Sequence, residues 1–278
     1  MRFTKLHSGE SVPSLGLGTW QLGDSRERHA QEVAALQAGI DLGLTLIDTA
    51  EMYGDGASEQ LVAEAIEGRR DSVFLVTKVL PANATSKQSI HAACERSLRR
   101  LRVDAIDLYL LHWRQGERLA TVVEAFGDLV AAGKIRYWGV SNFDTEDMRE
   151  LAGIHGGSHV ATNQVLYNVY RRGIEFDLLP AARAARMPVM AYTPIEQGRV
   201  REDATLRAVA ERHGATPAQI ALAWTLREDG VISIPRSGDP HHVRDNARAL
   251  EIELDAADLA DIDRAFPPPR KARALEMI

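Results

Sequence analysis

Four residues in the N-terminal half of the chain, Asp48, Tyr53, Lys78 and His112, are of types that together can move a proton. A free tyrosine, with a pKa of ~10, is a poor acid–base catalyst near neutrality, but an adjacent ammonium favours its phenolate and lowers that value. Lys78 would be that cation, with Asp48 holding it charged and oriented. His112 can donate a hydrogen bond to a carbonyl oxygen as negative charge develops there. Such a group suits carbonyl reduction. Taken singly, each residue also has a plain structural reading: Asp48 as a loop or capping carboxylate, Lys78 as a solvated strand end, Tyr53 and His112 as ordinary hydrogen-bonded side chains.

For the four to act together, the backbone must bring them to one place. Short apolar, β-branched runs at 15–18, 44–48, 73–78, 106–112, 135–140, 159–164, 188–193 and 231–236 read as buried parallel strands separated by amphipathic stretches. Polar residues gather where these runs end: Asp48, Lys78, His112, Ser141 and Asn142, Gln164, Tyr192 and Thr193, then Arg236 and Ser237. Eight such strands without a break in composition predict a closed α/β barrel of the (β/α)8 type rather than an open sheet, and the C-terminal rim of such a barrel carries the active site. Neighbouring strands lie ~4.8 Å apart, so Asp48, Lys78 and His112 on three consecutive strands would adjoin, with Tyr53 folding back among them.

Residues 1–278 are thus expected to form a single barrel domain, with a short N-terminal hairpin over its bottom and a tail from about 267, where PPPR begins. In the helix after Ser86, the residues Ile90, Ala93, Cys94, Ser97, Leu98 and Leu101 share one face, which makes Cys94 a core residue. Thr216 before Pro217 and Asp239 before Pro240 mark helix starts. Trp138, inside a strand, and Trp224, inside a helical pattern, read as core.

The 278 residues, 45% hydrophobic and 26% charged, have ordinary globular composition. Thirty-three Lys and Arg against 39 Asp and Glu leave a net charge of −6, which argues against nucleic acid and anionic membrane surfaces as partners. A single cysteine excludes an internal disulfide and any cysteine-based metal cage. No apolar run approaches the ~20 residues that span a bilayer. A cytoplasmic, monomeric protein without a metal is expected, acting on a small molecule. A metal-dependent hydrolase would lack an H-x-H or H-E-x-x-H pair here, and GVSNF at 139–143 lacks the second glycine of a serine-hydrolase G-x-S-x-G.

Several longer segments, IDTAEMYGDGASEQLVAEAI at 47–66, VTKV at 76–79, LYLLHW at 108–113, GKIRYWGVSNF at 133–143, NQVLYN at 163–168 and IPRSGDP at 234–240, resemble the aldo-keto reductases in family order, from about Gly16 to Asn246. The resemblance implies a (β/α)8 barrel that binds NADPH, with NADH left open, and it matches Asp48, Tyr53, Lys78 and His112 to the family's catalytic four. It further implies that Ser141, Asn142 and Gln164 hold the nicotinamide carboxamide, that Tyr192, followed by Thr193, stacks on the ring, and that Gly18 and Thr19 close the nicotinamide end. Arg236, Ser237, His242 and Asn246 fall at the adenosine end. The physical reading agrees there: a helix starting at Asp239-Pro240 just after a strand-end loop favours a phosphate. Two departures stand out. Arg236 replaces the usual lysine, keeping the charge and adding a fork, and the arginine usual at the position of His242 is absent. A nicotinamide-binding sensor without catalysis remains a second reading of the same fold.

The substrate expected is a small, polar, electron-poor carbonyl compound, a 2-oxoaldehyde such as methylglyoxal or a keto-sugar. Trp20, Met52, Tyr53, His112 and Trp113 would form a compact pocket, and the tail PPPRKARALEMI is too short to build a deep apolar wall. The segments LTLIDTAEMYGDG, NQVLYN, RGIEFDLLP and IPRSGDPHHV resemble bacterial methylglyoxal or diketogluconate reductases of the superfamily. Arg114 stands where relatives often carry proline, and its direction is not readable from sequence.

Overall fold

The computed structural model describes residues 1–116 and 118–278. Strands β1 (Phe3–Lys5) and β2 (Ser11–Pro13) form an antiparallel hairpin. Eight parallel strands follow: β3 (Leu17–Gly18), β4 (Leu46–Asp48), β5 (Phe74–Val79), β6 (Ile106–Leu111), β7 (Ile135–Ser141), β8 (Asn163–Leu166), β9 (Val189–Tyr192) and β10 (Val231–Ile234). They pair in sequence order from β3 to β10. The ring shuts where Gly16 N–H donates to Ser233 O and Gly18 N–H to Pro235 O, each at 2.9 Å. Gly18 approaches the last strand so closely that a Cβ on it would lie 2.8 Å from Ile234 O.

Period-two alternation sorts the strand side chains. Leu46, Phe74, Val76, Leu108, Leu110, Met190, Ile232 and Ile234 point into the barrel and pack with Leu6 and Val12 of the hairpin, which floors it as expected. The intervening residues, among them Ile47, Leu75, Tyr109, Leu111, Trp138 and Val140, face the surrounding helices. Continuing the inward rows toward the strand ends gives Asp48, Lys78, His112, Ser141, Gln164 and Tyr192. The parity that fills the barrel with aliphatic side chains therefore also delivers these polar ones to its mouth.

The surrounding helices are α1 (His29–Asp41), α2 (Ala57–Ala65), α3 (Lys87–Leu101), α4 (Leu119–Ala131), α5 (Thr145–Gly153), α6 (Leu178–Ala184), α7 (Ala204–Arg212), α8 (Pro217–Leu226), α9 (Pro240–Ala247) and α10 (Ala256–Ala265). Their ends follow local chemistry. Ser86 and Ser89 close a reciprocal capping box on α3, as Thr216 and Gln219 do on α8. The buried face of α3 is the one read from sequence, and burial pushes the Cys94 thiol up to about 12, that of an inert core residue. Trp138 and Trp224 are both buried, the latter with the Arg227 guanidinium 3.7 Å from its ring centre.

One strand differs from its expected place. In the run at 159–164, Gly157–His159 form a single 3-10 turn, the chain meets β7 only from Ala161, whose N–H donates to Trp138 O at 2.8 Å, and the strand itself is Asn163–Leu166. After α10 the tail turns back over the barrel, where Leu275 packs on a cluster that includes Tyr167, Leu178 and Trp224, and Glu276 Oε1 accepts from Arg171 Nη1 at 2.8 Å.

Gly139, on the inward row of β7, leaves no room for a side chain: a Cβ would lie 2.7 Å from Thr162 O and 2.8 Å from Leu110 Cδ2. Gly139→Ala should therefore lower stability to urea unfolding by about 1–3 kcal/mol, the usual cost of overpacking a filled core. An unchanged midpoint would mean that the barrel yields there at no cost.

Candidate active site

The site is built from the ends of the inward rows. Lys78, with no exposed surface, donates from Nζ to Asp48 Oδ2 at 2.8 Å, to Thr49 O at 2.9 Å and to Tyr53 Oη at 3.2 Å. Asp48 takes Gln164 Nε2 on its other oxygen at 2.7 Å, so the carboxylate is engaged on both sides. Tyr53 reaches Lys78 because the chain after β4 folds across the top of β5: Thr49 N–H bonds Val76 O and Glu51 N–H bonds Lys78 O. The Glu51 carboxylate then pins this crossing, accepting Leu80 N–H at 2.8 Å and Asn83 Nδ2 at 2.9 Å. His112 lies edge-on to Tyr53, ring centres 5.8 Å apart, with Trp113 on its other side at 4.9 Å. The structure thus gathers Asp48, Tyr53, Lys78 and His112 into one cluster.

Burial pulls the Lys78 ammonium down, but Asp48 and Tyr53 together outweigh it and leave the pKa above its ordinary value. The Tyr53 phenol corrects the sequence expectation. Burial raises it, Lys78 lowers it by charge and hydrogen bond, and the net pKa lies above the ordinary value rather than below. Lys78 acts in the expected direction but does not overcome desolvation. The phenol is therefore protonated at neutral pH, the form able to donate. Burial, aided by Lys78, depresses His112 to about 2, so its imidazole is neutral. Its Nδ1 is buried with no hydrogen-bond partner among the described residues. An orphaned N–H there would cost more than an idle lone pair, which assigns the proton to Nε2.

The expected amide-binding residues meet beside this cluster. Ser141 Oγ donates to Gln164 O at 2.8 Å, and Asn142, in the left-handed region at φ 58°, donates from Nδ2 to His112 O at 3.2 Å and accepts Tyr192 Oη–H at 3.0 Å. Thr193 is likewise left-handed, a strained setting for a β-branched residue, and its carbonyl accepts Asn168 Nδ2 at 2.9 Å. Thr19 is buried under the cluster, donating to Asp48 O at 3.0 Å, with Ser58 Oγ 2.8 Å from its hydroxyl. Arg236, Ser237, His242 and Asn246 form a second group on the loop after β10 and on α9: Arg236 and His242 are exposed, Asn246 is buried, and Ser237 Oγ accepts Asp239 N–H at 3.2 Å. Arg236 links the groups by donating from Nε to Trp20 O at 3.0 Å.

Trp20 and Met52 are 43% and 39% exposed, and Trp113 is half-buried. Arg114 turns away from them to pair with Asp147 and Glu150 of α5. Sequence reasoning missed Glu51, Ser58, and the chain of Asn168, Glu196 and Arg171 that ties the segment after β9 to the tail. Only Glu51 left a trace, as an acidic residue between Asp48 and Tyr53 with no role of its own. Asp48 and His112 do not form half of a metal set, since both carboxylate oxygens of Asp48 are taken by Lys78 and Gln164.

The aldo/keto reductase family profile matches residues 14–266. The chain is an aldo/keto reductase. It is 50% identical over 273 residues to the methylglyoxal reductase YeaE of Escherichia coli (strain K12), covering 96% of each chain. The glyoxal reductase of Bacillus subtilis (strain 168) is 32% identical over 265 residues, covering 93% of this chain and 91% of that one. Among solved structures, an aldo/keto reductase from Klebsiella pneumoniae in complex with NADP and acetate superposes with a TM-score of 0.97 at 50% identity, over 99% of both chains. This aldo/keto reductase has the (β/α)8 barrel and N-terminal hairpin that its sequence predicted, and among its described residues no helix is long and apolar enough to cross a membrane.

A histidine held neutral by burial makes the fold sensitive to acid. With the folded pKa near 2 and the unfolded one near 6.5, His112 contributes stability that is complete above the unfolded value and is lost as pH falls below it. Between pH 6.5 and 5 the wild type should lose ~2 kcal/mol more than His112→Gln, at ~1.4 kcal/mol per unit. Parallel urea titrations at the two pH values measure the difference, and equal losses would show that the imidazole protonates freely in the folded protein.

Proposed function

We propose that this aldo/keto reductase reduces small, electron-poor carbonyl compounds to alcohols with NADPH, and that Tyr53 gives the proton. The observation that carries the reading is the phenol of Tyr53 held 3.2 Å from Lys78 Nζ beside a neutral His112. The donor set suits the cofactor. Asn142, Gln164 and Ser141 offer amide and hydroxyl groups that match a carboxamide, and the half-buried Tyr192 ring offers a stacking face next to them. Gly18, Thr19 and Thr193 border that end, while Arg236, Ser237, His242 and Asn246 would hold the adenosine and its phosphates. NADH would be accepted less well, for want of the phosphate that Arg236 reads.

When bound, the dihydronicotinamide supplies the hydride that reduces the carbonyl carbon. The residues of this chain do the rest. His112 Nε2–H donates to the carbonyl oxygen, fixing its direction and stabilising the charge that develops on it. Tyr53 Oη–H passes its proton to that oxygen, and the phenolate left behind is stabilised by the Lys78 ammonium, which Asp48 keeps charged. Trp20, Met52 and Trp113 would wall the substrate. Arg114, paired with Asp147 and Glu150, does not bring its charge to that wall, so the preference for polar carbonyls is taken to rest on size and reactivity. The names of the Escherichia coli and Bacillus subtilis relatives support a 2-oxoaldehyde such as methylglyoxal. The same reading takes the 278 residues as one cytoplasmic, monomeric barrel domain with a short tail from about 267.

Tyr53→Phe should bind NADPH, read by quenching of protein fluorescence, nearly as the wild type does, yet turn over aldehyde ~10²–10⁴-fold more slowly. Turnover near the wild-type rate would remove Tyr53 as the acid, while no turnover by the wild type with any reactive aldehyde would favour the sensor reading. Because the phenol sits above its ordinary pKa, kcat/KM for reduction should stay level through neutral pH and fall only where the phenol ionises, above ~10.

For the substrate, kcat/KM should be greater for methylglyoxal and other short dicarbonyls than for bulky hydrophobic ketones. A reversed order in a steady-state panel would overturn the small-pocket reading.

A further inference from the structure

The loop between β3 and α1 folds down onto the loop between β10 and α9, and the contact places a second arginine at the adenosine end of the site. Arg236 Nε is spent on Trp20 O at 3.0 Å. Two residues on, Gly238 sits so near α1 that a Cβ on it would lie 2.9 Å from Glu32 Cγ. Glu32 is only 1% exposed, and its Oε2 accepts Gly23 N–H at 2.8 Å. Its other oxygen lies 3.7 Å from Nε of Arg28, one turn nearer the rim. Arg28, the residue at the N-terminal cap of α1, thus rises beside the stretch Ser237-Gly238-Asp239. Its side chain is 56% exposed, and the terminal nitrogens of neither Arg28 nor Arg236 have a hydrogen-bond partner among the described residues.

We propose that Arg28 is a second reader of the adenosine 2′-phosphate, supplying from α1 the fixed cation that α9 lacks at His242. The inference rests on the NADPH reading above and adds to it a residue on a different element. A histidine is not a fixed cation near neutral pH, whereas a guanidinium is, and it offers a fork matched to phosphate oxygens. The surrounding charges leave that fork available. Glu32 is buried beneath and holds Arg28 through Nε alone. Asp24 has its Oδ1 within 2.6 Å of where a Cβ on Gly54 would stand, and among the described residues it pairs with neither arginine. The two arginines feel one another: besides burial, Arg28 helps to lower the Arg236 pKa, with Glu32 and Asp24 opposing it. Like charges held side by side with free donor ends gain from an anion between them, and a phosphate with two negative charges is suited to both.

The test is binding to the free enzyme. Arg28→Gln, which removes the charge and the fork but keeps an unbranched polar side chain before α1, should weaken NADPH and adenosine 2′,5′-bisphosphate about ten-fold, equivalent to ~1.4 kcal/mol, and leave NADH and AMP unchanged. Arg28→Lys should recover part of the loss, and thermal unfolding of both variants should match the wild type. Isothermal titration with the four ligands reads this without turnover. Equal weakening of NADPH and NADH, or no weakening of either, overturns the proposal. Arg236→Ala, titrated in parallel, separates the two levels. If it loses NADPH selectively while Arg28→Gln does not, the Arg28 assignment fails and the phosphate reading stands. If neither variant discriminates, both fall.

Discussion

A lysine ammonium with no exposed surface is tolerated only when its charge and all its protons are answered, and Lys78 meets that condition with three oxygens from three residues. The rest of the mouth is arranged around this demand. Asp48 must end β4 one strand away, the loop after it must bend so that Thr49 presents its carbonyl, and Tyr53 must close the third side. Gln164, three strands further round, reaches the same carboxylate from the far side. Removing one partner would leave a buried charge unanswered, a loss of several kcal/mol in typical buried pairs. The groups proposed to handle the proton are therefore among the most firmly fixed side chains of the barrel.

Barrel parity made much of this readable in advance. Asp48, Lys78, His112, Ser141, Gln164 and Tyr192 end inward rows, and alternation along a strand can be counted in a sequence. The helix caps at Ser86, Thr216 and Asp239 and the buried face of α3 follow from equally local rules. What was not readable depended on space. The direction of the Tyr53 shift is decided by how much water is excluded, which no motif records. Glu51 and Ser58 act through backbone groups brought near only by folding. The late start of β8 follows a turn at Gly157, and Arg114 could be aimed only once α5 had a position.

The barrel separates its tasks along the axis. Its lower part is an apolar plug closed by the hairpin, with Leu6 and Val12 completing the packing and Thr4 Oγ1 2.8 Å from Ser14 Oγ. Its upper part carries nearly all the polar work described above, and part of the backbone there is strained. Asn142, Thr193, Glu196 and Gln197 all have positive φ, each costing of order 1 kcal/mol or more for a residue other than glycine. A well-packed lower barrel is what lets the mouth hold such conformations without loosening the fold.

The two chain ends inherit this division. Met1 is exposed beside Gly43, at the floor, whereas the tail crosses the rim, fastened through Glu276, Arg171 and Glu196. A change at Glu276 or Arg171 would therefore be felt, through Glu196 and Asn168, in the segment that follows Tyr192, beside the ring on which the nicotinamide is proposed to lie, whereas a change at Met1 would act at the opposite end of the barrel.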